Sequence, residues 1–341
     1  MLRAFSLLFI LTCCVSIASA QTVTKPIKLF NGKDLKNFYT WLNAPKKGEK
    51  PYGKNNDPEK VFTVVNGAIR VSGKVFGCFT TEKEYANYRL IVEFKWGTKT
   101  WPPRENATMD SGVLLHCVGP DGGAGGNWME SIECQLIEGG TGDFIMVRGK
   151  TQPKITVPVK KIGNQWYYDA KGELREFPPG RANWYGRDPN WKDVKGFRGK
   201  NDVEKPVGEW NTLECVCDGD KITNILNGKV VNAGIKATHT KGKILFQSEG
   251  AEILFRRIDL MPLKTEVAKK QPKEEKKKPK TEPKKTVKVG QEPEPPPVFD
   301  YSQTAPDRTK TRVEPVEPMQ RPRLFGGRRP LERLFNLFRR R

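Results

Sequence analysis

The chain has 341 residues and a formal net charge of +21, with 36% hydrophobic and 29% charged residues. That apolar content over this length supports at least one sizeable core and excludes a wholly disordered protein. The charge invites a nucleic-acid reading, but from Lys264 onward stand 22 basic against 11 acidic residues, so about half of the excess sits in a tail. No nucleic-acid-binding motif is visible, and nucleic acid is not among the expected partners.

Residues 1–20 predict an export signal. Arg3 gives a short positive start, Phe5 to Ile17 is almost wholly apolar, and Ala18-Ser19-Ala20 fits the small-residue cleavage pattern. The apolar run is short for a bilayer span. Cys13 and Cys14 raise the alternative of a lipid anchor, but Thr12 stands where a smaller residue is usual, so cleavage after Ala20 is expected. The remaining cysteines are Cys78, Cys117, Cys134, Cys215 and Cys217, an odd set that makes a poor disulfide framework. Most are expected to serve as small buried hydrophobes, with one bridge left open.

Residues 25–263 predict one large all-β domain. Strand-like runs recur between turn signals: Val61–Val65, Ala68–Val71, Arg89–Trp96, Gly112–Val118, Ser131–Ile137, Phe144–Val147, Thr212–Cys217, Ile222–Leu226, Lys229–Val231, Lys243–Gln247 and Glu252–Leu260. Asn66-Gly67 and Asn227-Gly228 mark hairpins, because both central turn residues must accept positive φ. No stretch shows sustained helical periodicity, and many short strands predict a sandwich or jelly roll.

Between Lys150 and Val207 the alternation breaks into a long aromatic-rich insertion, including Trp184-Tyr185-Gly186-Arg187-Asp188. Trp184 is a candidate for stacking on a sugar ring, and packing of the insertion onto the sandwich accounts for it equally well. The tail divides in two. Residues 264–320 are Lys/Glu/Pro-rich and predict a disordered linker. In residues 321–341, Leu331, Leu334, Phe335 and Phe338 fall at i, i+3, i+4 and i+7 among arginines. That basic amphipathic segment suits a membrane, an anionic envelope surface or a partner groove.

Candidate site residues come from strand parity. Asp110-Ser111-Gly112 leads towards His116, Glu133 and Gln135 are two apart, and so are Gln247 and Glu249. Side chains alternate across a sheet. The parity predicts Glu93, Lys95, His116, Glu133, Gln135, Gln247 and Glu249 on one face, bordered by the insertion.

Leu29-Phe30-Asn31-Gly32-Lys33-Asp34-Leu35, Tyr85-Ala86-Asn87-Tyr88-Arg89-Leu90, Glu93-Phe94, Asp110-Ser111-Gly112, Glu133-x-Gln135, Gly208-Glu209-Trp210-Asn211, Asn227-Gly228 and Phe255-Arg256-Arg257-Ile258 follow one another in order. In this ordered set, over about residues 26–263, the chain resembles the bacterial 3-keto-disaccharide hydrolase family, also described as 3-keto-glucoside 1,2-lyase and 3-keto-2-hydroxy-glucal hydratase. Where many members have His before the Gly of the late strand motif, this chain has Glu249. The resemblance implies a concanavalin A-like jelly roll and an enzyme acting on an oligosaccharide or glycoside, and the export signal puts it in the periplasm or at the envelope. It also implies removal of the C2 hydrogen beside a C3 ketone, loss of the C1 substituent, and hydration. Such chemistry needs a base, a proton donor and an enolate stabiliser. His116, Glu133 and Glu249 are the expected catalytic groups; Glu93, Lys95, Asp110, Gln135, Gln247, Arg256 and Trp184 are the expected substrate contacts. No organic cofactor is expected, and a divalent cation on Asp110, His116, Glu133 and Glu249 stays open. The alternative is a non-catalytic, lectin-like carbohydrate-binding module on the envelope.

Overall fold

The computed structural model describes residues 20–178 and 180–263. The export signal, apart from Ala20, and both tail segments fall outside the described residues. The described chain contains strands and turns with no helix, arranged mainly as two large antiparallel sheets. The jelly-roll sandwich expected from the alternation is what forms.

The front sheet runs, edge to edge, through Arg181–Ala182, Phe144–Val147, Glu130–Ile137, Asp110–Val118, Lys243–Ser248, Gly77–Thr81, Phe38–Leu42 and Gly53–Lys54. The back sheet runs through Lys229–Gly234, Lys221–Leu226, Asn211–Asp218, Tyr88–Thr100, Ala251–Met261, Ala68–Val71 and Phe62–Val65, with Ile27–Lys28 also paired to Ala251–Met261. Strands adjacent in each sheet are often distant in sequence, so only the shared core holds the order together. That core lies between the sheets. Val113, Leu115, Ile132, Cys134, Phe144, Phe79 and Phe246 come from the front sheet, and Leu90, Val92, Phe94, Leu213, Cys215 and Phe255 from the back. Phe79 and Phe246 stack at 4.7 Å, and Phe255 meets both edge-on from the opposite sheet. The five described cysteines are all buried and free.

The predicted hairpins form: Asn66 and Gly67 have φ of 51° and 75°, and Asn227 and Gly228 have 49° and 81°. Two front-sheet strands, Phe38–Leu42 and Gly77–Thr81, have no alternating pattern in the sequence because nearly every residue in them is buried. The insertion is more regular than its composition suggests. It contains a three-stranded sheet of Gln165–Tyr168, Ile155–Ile162 and Glu173–Phe177. Ile155, Val157 and Val159 from it join the main core.

Candidate functional site

The outward face of the front sheet carries the polar pairs. Gly112 lies opposite Gln135 and Leu114 opposite Glu133. Val113 pairs with Phe246 on the other flank, so Gly112 also faces Gln247. Two residues further, the same register brings Asp110 opposite Glu249, and Asp110 is the charged group that acts most strongly on Glu249. Five of the predicted residues therefore meet around Gly112: Asp110, Glu133, Gln135, Gln247 and Glu249.

Gly112 is what lets them converge. A β-carbon there would lie 2.1 Å from Glu133 Oε1 and 2.4 Å from Gln247 Oε1, so both side chains close over bare backbone. Those two oxygens are buried and have no hydrogen-bond partner in the protein. Gln135 donates from Nε2 to Asp110 Oδ1 at 2.7 Å, and Arg104 Nη2 lies 3.2 Å from Asp110 Oδ2. Arg104 also donates to Asp193 Oδ1 at 3.0 Å, while its buried Nε–H is left without an acceptor.

Burial governs the electrostatics of the cluster. Loss of water pushes Asp110 up to about 6, against the attraction of Arg104 and Arg181. Burial raises Glu133 well above the usual carboxylate range, and the Asp110 charge adds to it. Glu249 is raised well above its ordinary value by burial, then by Asp110 and Glu133. Three neighbouring carboxyls cannot all ionise cheaply, so each raises the proton affinity of the others and they titrate as a set.

His116 is not in this group. Alternation would put it on the outward face with Leu114, but the strand pairing shifts between Leu115 and Val118 and His116 takes φ of 55°. The bulge turns its ring inward, where it meets Tyr88 of the back sheet edge-on at 5.5 Å. Nδ1–H donates to His239 O at 2.8 Å, Nε2 has no partner, and burial lowers the imidazole to about 4. The cation-ligand set that needed His116 with the carboxylates is therefore not assembled. Among the described residues no three His, Cys, Asp or Glu side chains converge to hold a metal ion.

Glu93, Lys95 and Arg256 are also displaced from the predicted face. All three belong to back-sheet strands whose inward residues are Val92, Phe94, Trp96 and Phe255, so they point to the opposite outside of the sandwich. There Arg256 pairs with Glu93 at 2.5 Å, and both Arg256 and Lys95 lie over Trp210. Parity places residues on a face but does not say which sheet owns the face.

Trp184 is 1% exposed and cannot stack on a ligand. Its indole Nε1–H donates to Gly139 O at 3.1 Å, and its backbone N–H to Asp143 Oδ1 at 2.7 Å. Asp143 is fully buried and also binds Arg181 at 2.6 Å and Arg187. The insertion thus reaches the site through Arg181, whose charge acts on Asp110, Glu133 and Glu249. Arg104, Arg181 and Asp143 escaped the sequence reading because they lie outside any alternating run or in a strand whose neighbours are remote. An open cleft of about 400 Å³ along the insertion, lined by Tyr185, Lys200, Asp202 and Lys229 among others, contains none of the predicted site residues. The buried carboxyl cluster is the better candidate because it gathers perturbed titratable groups and unpaired polar atoms in one place.

No curated protein matches the chain. Among solved structures, a provisionally assigned glycosyl hydrolase from Parabacteroides distasonis is 20% identical, with 70% of this chain and 94% of that one covered at a TM-score of 0.40. A β-glucanase from Bacillus licheniformis is 11% identical, covering 70% and 99% at 0.36. A carbohydrate-binding module from Bacillus subtilis is 8% identical, covering 71% and 99% at 0.33. The 3-keto-alpha-glucoside-1,2-lyase-like domain matches residues 25–261, the whole sandwich with its insertion. The chain belongs to that family, and with it to the carbohydrate-active enzymes.

Proposed function

We propose that the protein is an exported enzyme that cleaves the glycosidic bond of 3-keto-glycosides by elimination followed by hydration, in net a hydrolysis. The observation that carries the proposal is the pair of buried, unpartnered oxygens of Glu133 and Gln247 over Gly112. Buried polar atoms without partners are costly, and sugar hydroxyls, which donate as well as accept, can satisfy both the carboxyl and the amide. Arg104 Nε–H is the complementary unpaired donor, suited to the oxygen of a ketone or its enolate.

In this reading an ionised carboxylate of the cluster takes the C2 hydrogen, made acidic by the C3 ketone. Asp110, the group held near 6, is the one ionised at neutral pH. The electron pair delocalises into the C3 enolate, stabilised by Arg104, then forms the C1–C2 double bond as the C1–oxygen bond breaks. Glu133 or Glu249, whose hold on a proton is strengthened by burial, supplies one to the leaving oxygen. Water then adds at C1 and a proton returns to C2. Family membership supports the substrate class, and residues 1–20 support export to the periplasm or envelope.

The test is incubation of the purified protein with matched oxidised and unoxidised glucosides. Turnover of the 3-keto compound alone is expected, because an unactivated C2 hydrogen is far too weak an acid. Equal turnover of both, or none of either, removes the proposal.

A further inference from the structure

The outward face of the front sheet does not end at the carboxyl cluster. Gln247 pairs with Cys78 and Ser248 with Gly77, so one register step further puts Phe76 opposite Glu249, on the same face. Trp41 faces Cys78 in the next strand. Phe76 stacks with Trp128 at 6.4 Å and 26° between ring planes. Both rings are partly exposed, whereas Phe79 and Phe246 on neighbouring positions are fully buried in the core.

Trp128 is held in place before any ligand arrives. Its Nε1–H donates to Gly77 O at 3.2 Å. The segment before it is pinned to the sheet by Trp41 Nε1–H to Gly126 O at 3.1 Å and by Asn43 Nδ2 to Asn127 Oδ1 at 2.7 Å. Ala124 and Trp128 bridge each other, closing the loop that carries the ring. Two stacked aromatic rings, both partly exposed and one of them opposite Glu249, form an apolar wall beside a cluster of hydrogen-bonding groups. That pairing of surfaces is what a second pyranose needs, with its C–H face on the rings and its hydroxyls at the polar edge.

We infer that Phe76 and Trp128 are the residues that bind the leaving sugar and set the preference for a pyranose over a small alkyl leaving group. This rests on the proposed 3-keto-glycoside activity and names the residues that select its leaving group. The rings touch the half of the substrate that departs, so their contribution depends on what that half is.

The experiment compares kcat/KM for a 3-keto-disaccharide and for methyl 3-keto-glucoside, in the native protein, Trp128→Ala and Phe76→Ala. The ratio favouring the disaccharide should fall about tenfold in either variant, the scale of one lost aromatic stacking contact. A ratio that stays within about twofold overturns the inference while leaving the parent activity intact. Trp128→Phe separates stacking from packing, since it keeps a ring but loses the bond to Gly77. It should retain most of the ratio, and a loss equal to that of Trp128→Ala, with a lowered melting temperature, assigns Trp128 to packing and overturns the inference. A native protein that turns over neither oxidised glycoside removes the parent proposal instead. Titration with unoxidised disaccharide against methyl glucoside then reads the subsite by itself. A disaccharide preference lost in Trp128→Ala supports it, and no preference, or one that survives the substitution, refutes it.

Discussion

Glu133 and His116 are both buried polar groups on front-sheet strands, yet their environments push them in opposite senses. Burial, and after it the Asp110 charge, raise the Glu133 carboxyl well above its ordinary value, so the folded state binds its proton more tightly than the unfolded chain does. Its contribution to stability is present at low pH and is lost as pH rises above the ordinary carboxylate value. Replacing Glu133 with Gln should therefore flatten the decline of melting temperature as pH rises above the ordinary carboxylate value. The same substitution should lower turnover by on the order of 10²–10⁴-fold while leaving substrate binding largely in place. Binding of the glycoside without turnover in the native protein, and only a change of affinity in the variant, would favour the lectin-like alternative. His116 is kept neutral, lowered from 6.5 to about 4, so the unfolded chain takes up the proton that the folded one refuses. Its contribution is present above 6.5 and is lost as pH falls towards 4, on the order of 3 kcal/mol across that window. His116→Gln should reduce the slope of stability against pH on the acid side, read from denaturant unfolding at several pH values. Its turnover of a 3-keto-glucoside should stay far closer to native than that of Glu133→Gln, because the ring faces the core.

At the scale of strands, the bulge in Asp110–Val118 and the bare backbone at Gly112 decide what the site contains. The bulge removes a histidine from the outward face, and Gly112 lets an acid and an amide meet where any other residue would hold them apart. Gly112→Ala should leave the strand pairing intact but force Glu133 and Gln247 outward. Turnover is expected to drop by at least tenfold, since displacing reacting groups by about 1 Å costs on the order of 10²-fold. Steady-state kinetics beside a near-native circular dichroism spectrum would check this. The insertion depends on a different element, the buried Asp143 that holds Arg181, Arg187 and the Trp184 backbone. Asp143→Asn leaves Arg187, 6% exposed, without its anion. A loss of about 3–5 kcal/mol in denaturant unfolding is expected, the cost of breaking one side of a buried ion pair.

For the whole molecule, the sandwich between residues 20 and 263 holds every group proposed for the chemistry. The tail from Lys264 lies outside the described residues, and its composition predicts a linker and a basic amphipathic end. A protein ending at Leu263 should match the full chain in melting temperature and in turnover, because a linker of that composition adds no packing to the sandwich. Location is where the two should differ. Co-sedimentation with anionic vesicles should pellet the full chain more than the shortened one, and high salt should reduce the difference. Equal pelleting of both would mean that the tail is no anchor.

Strand existence was legible in the sequence wherever one face of a strand is buried and the other is not. Phe144–Val147, Thr212–Cys217 and the two Asn-Gly hairpins show this, because alternation and positive-φ turns are local properties of the chain. The same alternation correctly put Asp110, Glu133, Gln135, Gln247 and Glu249 at matching parity. Phe38–Leu42 and Gly77–Thr81 left no pattern because both of their faces are covered, and covering is a property of the tertiary fold. Which sheet a polar face belongs to was equally undetermined, so Glu93, Lys95 and Arg256 went to the far side of the sandwich. His116 was lost to a single bulge, since one extra residue reverses parity and nothing local announces it. Arg104 and Arg181 entered the site through loops and an edge strand remote in sequence. Sequence by itself determined the architecture and most of the acid cluster, because those follow from periodicity and chain-local turn chemistry. Only the tertiary structure decided sheet assignment, the inward histidine, the counter-cations and the aromatic wall, because each depends on contacts between segments far apart in the chain.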